Sequence, residues 1–201
     1  VHFRNWVMRG IEPPPSVWPR LADGTLAAAN KVAIGFPTLP GLRPTVPEPD
    51  FIMPVLDYDW GPSFNATDGS GVASNAPPPI RQVLPAYAPK VDADGNERGG
   101  VPVVLADAPL GTYLGWNVTA AGFHAGQICN YVGGMVPFAR TKAEREAAGD
   151  TRLSLEERYR DHAGYVQAVQ RAAKRAQDAG FLLAEDAAAL IRAAEASAVL
   201  R

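Results

Sequence analysis

The apolar positions in the last third of the chain follow the spacing of amphipathic helices. From Leu155 to Ala176 they recur at alternating steps of four and three residues, which places them on one face of a helix that ends near Gly180. A second apolar stripe follows over residues 184–198. His162 lies on the first stripe, so we interpret it as a packing residue. The two stripes, joined by a short turn, predict a helical hairpin.

Capping boxes mark where two helices begin. In each box a serine or threonine is followed three residues later by a glutamate, as in Thr141-Lys-Ala-Glu144 and Ser154-Leu-Glu-Glu157. The hydroxyl and the carboxylate each accept a hydrogen bond from a backbone N–H group that the first helical turn leaves unpaired. We therefore expect helices to begin at both places.

The first ten residues have the pattern of a helix end. Phe3 and Trp6 are spaced to share one face, Gly10 suits the left-handed position that closes a helix, and the prolines at 13–15 prevent continuation. No start signal is present, and so short a helix is marginal in water on its own. We expect the earlier turns of this helix to be encoded before Val1.

Between residues 16 and 85 no helical period persists. Aromatic side chains alternate with proline and glycine, which favours an irregular meander that packs its aromatic groups against a neighbouring surface. Within this meander we expect short strands at Lys31–Phe36 and Phe51–Tyr58.

A β-hairpin is expected after the meander. Tyr87–Asp92 and Val101–Leu105 have the composition of strands, and Ala93–Glu97 between them is a good turn sequence. The chain is therefore predicted to have a mixed α+β, loop-rich fold. Its three segments are residues 1–15, which end a helix; 16–140, a Pro/Gly-rich meander with short strands and the hairpin; and 141–201, which are helical.

Composition agrees with this division and excludes several classes of function. Among 201 residues there are 19 glycines and 19 prolines, and every proline except Pro137 lies between Pro13 and Pro109. The net charge is −2 and the charges are interspersed, without the basic patch of a nucleic-acid-binding protein. No apolar run reaches the roughly 18 residues of a membrane span. A single cysteine, Cys129, excludes an intrachain disulfide, and we interpret it as a small core residue.

Candidate catalytic residues are few. A serine hydrolase presents its nucleophile on a strand–helix turn, commonly Gly-x-Ser-x-Gly, and no serine of this chain has that context. His124, between Gly122 and Gly126, is the one candidate for a general base, because an imidazole titrates near neutral pH. We favour the alternative, a half-buried histidine that is hydrogen-bonded to loop carbonyls. No cofactor motif is found, so no cofactor is expected.

One segment resembles the start of a calcium-binding loop. In Asp92-Ala-Asp94-Gly-Asn96, oxygen ligands stand at alternate positions. An EF-hand loop would continue with glycine at its sixth position and glutamate at its twelfth, where this chain has Glu97 and Val103. We therefore favour a tight turn over a metal site.

Several stretches occur together in a definite order. They are Trp6-Val-Met-Arg-Gly-Ile-Glu-Pro-Pro14, Ser16-Val-Trp-Pro-Arg-Leu-Ala-Asp-Gly-Thr25, Val91-Asp-Ala-Asp-Gly-Asn-Glu97, Thr112-Tyr-Leu-Gly-Trp-Asn117, Pro137-Phe-Ala-Arg-Thr-Lys-Ala-Glu-Arg145 and Ser154-Leu-Glu-Glu-Arg-Tyr159. In this order they resemble the C-terminal region of the bacterial α/β-hydrolase domain-containing protein family, and the resemblance spans nearly the whole chain.

The resemblance implies a serine esterase-like hydrolase that acts on a small ester. Residues 1–15 would then end the last helix of the hydrolase core. The nucleophile and the catalytic histidine would lie before Val1, so no catalytic role transfers to a residue of this chain. Many members of the family look exported, which implies a periplasmic or extracellular location.

Three hypotheses follow. In the first, the chain docks on the upstream hydrolase core, covers it and frames the substrate cleft, and is inactive on its own. In the second, it is a non-catalytic binding or assembly module whose Trp18, Trp60 and Trp116 form one solvent-facing patch. In the third, His124 is itself catalytic and has a carboxylate and a cleft beside it.

Overall fold

The computed structural model describes residues 1–41, 54–127 and 132–201. Cys129 and the first residues of the strand expected at Phe51–Tyr58 lie outside these ranges. The described helices are α1 (His2–Arg9), α2 (Lys31–Ile34), α3 (Val104–Asp107), α4 (Lys142–Ala147), α5 (Leu155–Tyr159), α6 (His162–Asp178) and α7 (Ala184–Ala196). The described strands are β1 (Leu26–Ala28), β2 (Leu56–Tyr58), β3 (Ile80–Val83), β4 (Tyr87–Pro89), β5 (Gly111–Leu114) and β6 (Gly134–Pro137).

The strands of the described residues form three separate two-stranded antiparallel sheets. β1 pairs with β4, β2 with β3, and β5 with β6. The described residues thus combine helices with small antiparallel sheets, and the predicted mix of helices and strands is confirmed. None of the helices in the described part of the chain is long and apolar enough to cross a bilayer.

The strand expected at Lys31–Phe36 is wrong, because residues 31–34 form the helix α2. The side chain of Asn30 caps this helix by accepting a hydrogen bond from the Ala33 backbone N–H at 2.9 Å, and Gly35 closes it at a φ of 79°. The helix-stabilising effect of these two end residues is larger than the strand preference of the β-branched Val32 and Ile34 between them. The other expected strand is present as β2 over its last three residues.

The hairpin expected between Tyr87–Asp92 and Val101–Leu105 is also wrong. β4 pairs with β1 instead, and residues 104–107 form α3. The turn itself is confirmed: the Gly95 N–H donates to the Asp92 carbonyl at 3.0 Å, and Val91 and Glu97 form one bridge. The strand pairing does not extend beyond this bridge, because Gly99, Gly100 and Pro102 follow Glu97 closely and proline has no N–H to donate.

Both capping boxes are confirmed. Thr141 and Ser154 each accept a hydrogen bond from the backbone of the glutamate three residues on, and each glutamate side chain reaches back to the cap. The single helix expected from Leu155 is interrupted, however. Arg160 adopts a φ of 69°, and Asp161 then caps α6 by accepting from the Gly164 N–H at 2.8 Å.

The helical hairpin is confirmed as α6 packed against α7. Among the described residues, alanines supply more than half of the buried apolar side chains, and Ala172 and Ala173 have no exposed surface. Small side chains let the two helices approach closely but bury little apolar area per residue. His162 is half-buried and its Nδ1 lies 2.8 Å from the Val199 carbonyl oxygen, which links the start of α6 to the chain that follows α7.

The helix at the start of the chain is confirmed as α1. It ends at Gly10, whose φ is 66°. His2 reaches the turn between α6 and α7, where its Nε2 lies 2.6 Å from the Gly180 carbonyl oxygen. The apolar face of α1 has no cover: Phe3 is 75% exposed and Trp6 is 52% exposed.

Substituting Ala172 with leucine tests the close approach of α6 and α7. The larger side chain must enter a fully buried position, so we expect the free energy of unfolding to fall by about 1–3 kcal/mol. Ala163 lies on the exposed face of the same helix, and Ala163→Leu should change it by less than about 0.5 kcal/mol. Urea unfolding followed by circular dichroism measures both values, and an equal effect of the two substitutions would contradict this packing.

Candidate functional site

A buried ion pair lies where the sheet β5–β6 meets the segment before α5. Arg152 and Asp150 are 2% and 5% exposed, and Arg152 Nη2 lies 2.7 Å from Asp150 Oδ2. Burial alone would raise the pKa of Asp150, but the hydrogen bonds from Arg152 outweigh burial and hold this pKa below its usual value. The carboxylate is therefore ionised and matched to the guanidinium group.

Arg152 uses its remaining N–H groups on the sheet. Its Nη1 donates to Thr112 Oγ1 at 2.7 Å and to the Val136 carbonyl at 2.9 Å, and its Nη2 donates to the Pro137 carbonyl at 3.3 Å. These bonds join β5, β6 and the segment before α5 in one place. A buried guanidinium needs such partners because an unpaired buried charge is strongly unfavourable.

A second arginine extends this network to the turn at residues 92–97. Arg158 of α5 pairs with Asp94, with Nη2 2.6 Å from Oδ1. Both guanidinium groups lie over the ring of Phe138, with the ring centre 4.4 Å from Cζ of Arg158 and 5.1 Å from Cζ of Arg152. We call Asp94, Asp150, Arg152, Arg158 and Phe138 together the arginine network.

The turn is held from both sides. Asp92 Oδ1 accepts from the backbone N–H groups of Asp94 at 2.9 Å and Asn96 at 3.0 Å. Asn96 in turn accepts from the Tyr113 N–H at 2.8 Å and donates to the Gly111 carbonyl at 3.2 Å. The side chains of Asp94 and Asn96 are thus engaged by protein partners, Arg158 and the backbone of β5.

A cleft of about 790 Å³ opens beside this turn, between residues 97–106 and β5. Its walls combine exposed apolar side chains with polar and charged ones. Val101, Val103 and Leu105 are 42%, 51% and 57% exposed. The polar side chains in the wall include Glu97, Arg98 and Tyr113.

Among the described residues, His124 belongs neither to the arginine network nor to the wall of this cleft. The half-buried position expected for His124 is wrong: the residue is exposed at a φ of 60°, and its ring packs edge-on against Phe123 with 3.9 Å between the ring centres. Within residues 1–41, 54–127 and 132–201, its ring forms no hydrogen bond to a carboxylate. The serine hydroxyls of these residues likewise form no hydrogen bond to a histidine; Ser154 Oγ, for example, donates to Glu157 at 2.8 Å.

The three tryptophans have different surroundings. Trp18 is 52% exposed and the Arg20 guanidinium lies 4.1 Å from its ring centre. Trp60 is half-buried between Tyr58 and Phe64, with ring centres 5.6 and 5.4 Å away. Trp116 is half-buried in the wall of a smaller hollow beyond β5. No ring contact joins the three tryptophans among the described residues.

Comparison with known proteins identifies the family. A family model described as an alpha/beta hydrolase domain matches residues 1–192. The chain belongs to this α/β hydrolase family. Neither a curated protein nor a solved structure matches the chain. The residues of the cleft and of the arginine network lie within the matched range.

Neither of the two arginines at the centre of the network was predicted from the sequence. Arg158 had a detectable signal, because it follows Leu155 by three residues and so lies next to the apolar stripe of its helix. Arg152 had none: it lies just outside a capping box, and its partners are distant in sequence.

Replacing Arg152 with methionine measures the strength of the network. The substitution leaves the buried Asp150 carboxylate without its counter-charge, and we expect the free energy of unfolding to fall by about 3–5 kcal/mol. The control is Arg81→Met. Arg81 is 61% exposed and pairs with two exposed aspartates at 3.4 and 3.7 Å, so the loss should stay below about 1 kcal/mol. Urea unfolding gives both values; similar losses would contradict a special role for Arg152.

Proposed function

We propose that this chain is the part of a serine esterase-like α/β hydrolase that covers the catalytic core and forms one wall of the substrate cleft. The nucleophile and its histidine are supplied by another part of the protein. The observation that carries the proposal is the cleft of about 790 Å³ beside the turn at residues 92–97. The substrate class is a small ester with an apolar acyl group.

The surface of the chain supports a covering role. A run of exposed apolar side chains extends from α1 into the segment after it. That run includes Phe3, Trp6, Val7, Met8, Ile11, Val17, Trp18 and Leu21.

The architecture of the described residues points the same way. An α/β hydrolase aims its nucleophile from a turn between a strand and a helix above a large sheet. The sheets described here have two strands each, and the serines beside them form no histidine pair. Family membership together with this arrangement supports the proposal that a separate catalytic core carries the reacting groups and that the present chain covers it.

The cleft is suited to selecting a substrate because its walls are held in place. Asn96 fixes one wall to β5, and the pairing of Asp94 with Arg158 fixes the same turn to α5. A site on supported elements keeps its geometry when a ligand binds. The apolar side chains of Val101 and Leu105 provide the surface for an acyl chain.

The proposal is tested by comparing ester hydrolysis by the full gene product and by the 201-residue chain alone. With p-nitrophenyl butyrate we expect turnover by the full gene product and none above background by the chain alone. Turnover by the chain alone that is lost in His124→Ala but kept in His2→Ala would overturn the proposal and support a catalytic His124.

The substitution Leu105→Ala in the full gene product tests the cleft itself. We expect kcat/KM for the butyrate ester to fall about tenfold relative to the acetate ester, because apolar contact with the longer acyl chain is lost. Val32 is 89% exposed and lies outside the cleft, so Val32→Ala is the control and should leave the ratio unchanged. An unchanged ratio in Leu105→Ala would remove the cleft from the substrate site.

A further inference from the structure

The imidazole ring of His162 lies between two backbone carbonyl groups at the end of α7. Its Nδ1 lies 2.8 Å from the Val199 carbonyl oxygen, and its Nε2 lies 3.2 Å from the Glu195 carbonyl oxygen. The Glu195 carbonyl is one of the last four of its helix, which have no partner within the helix. A neutral imidazole has a single N–H, so it can donate to only one of the two oxygens.

A second donor competes for the Glu195 carbonyl. Arg201 donates to this oxygen through Nη2, and the same Nη2 lies 3.4 Å from His162 Nε2. In a neutral ring that carries its proton on Nδ1, Nε2 is an acceptor and suits the guanidinium group. In a doubly protonated ring, Nε2 is instead a donor and suits the carbonyl. The two protonation states of the ring therefore favour different partners for Nε2.

Charged residues from each neighbouring element lie around the ring. Asp161 caps α6 with its carboxylate, Arg160 is exposed at the end of α5, and Glu195 is exposed on α7. Arg140, which precedes α4, donates through Nη2 to the Arg201 carbonyl. Arg201 is the charged side chain that the described residues place within hydrogen-bonding distance of the ring. A second proton on the ring therefore puts two cations side by side, which is unfavourable.

The segment after α7 adopts a conformation that depends on these contacts. Leu200 has a φ of 55°, in the left-handed region that residues other than glycine rarely adopt. Val199 and Leu200 pack, partly buried, against the apolar core that includes α6. The contacts of Val199 and of Arg201 hold Leu200 from both sides. Such a backbone conformation persists only while its surroundings hold it, so losing the contacts of Arg201 lets Leu200 relax.

We propose that His162 is a pH-sensitive latch for the segment after α7. With a neutral ring, the guanidinium group of Arg201 is held between Nε2 and the Glu195 carbonyl. When the ring takes a second proton, Nε2 donates to that carbonyl, Arg201 leaves and Leu200 relaxes. The Val199 contact stays, because Nδ1 carries a proton in both states. The proposal does not depend on the esterase-like function, since none of these residues lines the substrate cleft.

The test is an NMR titration of the full gene product, labelled with nitrogen-15 in histidine, leucine and arginine, from about pH 8 to about pH 5. We expect Nδ1 of His162 to keep the chemical shift of a protonated nitrogen, while Nε2 changes from unprotonated to protonated. Over the same pH interval the backbone order parameters of Leu200 and Arg201 should fall from about 0.85 to below about 0.6. Order parameters that stay constant while the ring titrates would overturn the proposal.

His162→Gln separates the latch from other effects of pH. The substitution removes the titrating ring and keeps a polar side chain, so the order parameters of Leu200 and Arg201 should no longer change with pH. The matched control is His124→Gln, because His124 is an exposed histidine that does not contact this segment in the described residues. It should keep the full change. The same pH response in His162→Gln as in the unchanged protein would rule out the latch.

Arg201→Gln tests the coupling from the other side. Coupling between two groups is reciprocal, so if protonation of the ring expels Arg201, removing the charge of Arg201 must ease protonation. We expect the affinity of the His162 ring for its second proton to rise about two- to fivefold, the effect of one exposed charge contact. The control is Arg192→Gln, an exposed arginine on α7 without a contact to the ring in the described residues. An equal effect of both substitutions, or none in Arg201→Gln, speaks against the proposal.

Discussion

The buried guanidinium group of Arg152 is the constraint on which the rest of this structure depends. Its five N–H groups must all find acceptors in a place that water does not reach, and they find them on Asp150, on Thr112 and on the carbonyl groups of β6. A sheet of two strands is barely stable alone. By binding both strands of β5–β6 and the segment before α5, Arg152 gives this small sheet a fixed position.

The composition of the apolar core explains why ion pairs and hydrogen bonds are needed to hold the elements together. Among the described residues, half of the buried apolar side chains are alanines on α6 and α7, which bring helices close but bury little area each. Many of the large apolar side chains lie on the surface, including those on α1 and along the cleft. A chain built in this way is well suited to contact further protein or ligand through its apolar groups, while ion pairs and side-chain caps hold its own elements together.

The sequence predicted what is local and failed where distant residues meet. The capping boxes at Thr141 and Ser154 depend on groups three residues apart, so their pattern alone predicts them. Arg152 meets Thr112 over a separation of 40 residues and Arg158 meets Asp94 over 64, and no local pattern encodes either pair. The hairpin prediction failed for the same reason, because the partner of β4 is β1, far upstream. The cleft is formed by such distant contacts, so it could not be predicted from the sequence either.

Hydrogen–deuterium exchange in Asp94→Asn tests most directly whether the arginine network joins the turn, the sheet and α5 into one unit. The substitution removes the charge that pairs with Arg158 and keeps the shape of the side chain. The account predicts that the backbone N–H groups of Asn96, Tyr113 and Arg158 exchange faster together, while those of α7 are unchanged. Faster exchange confined to the turn, with Tyr113 and α5 as protected as before, would contradict it.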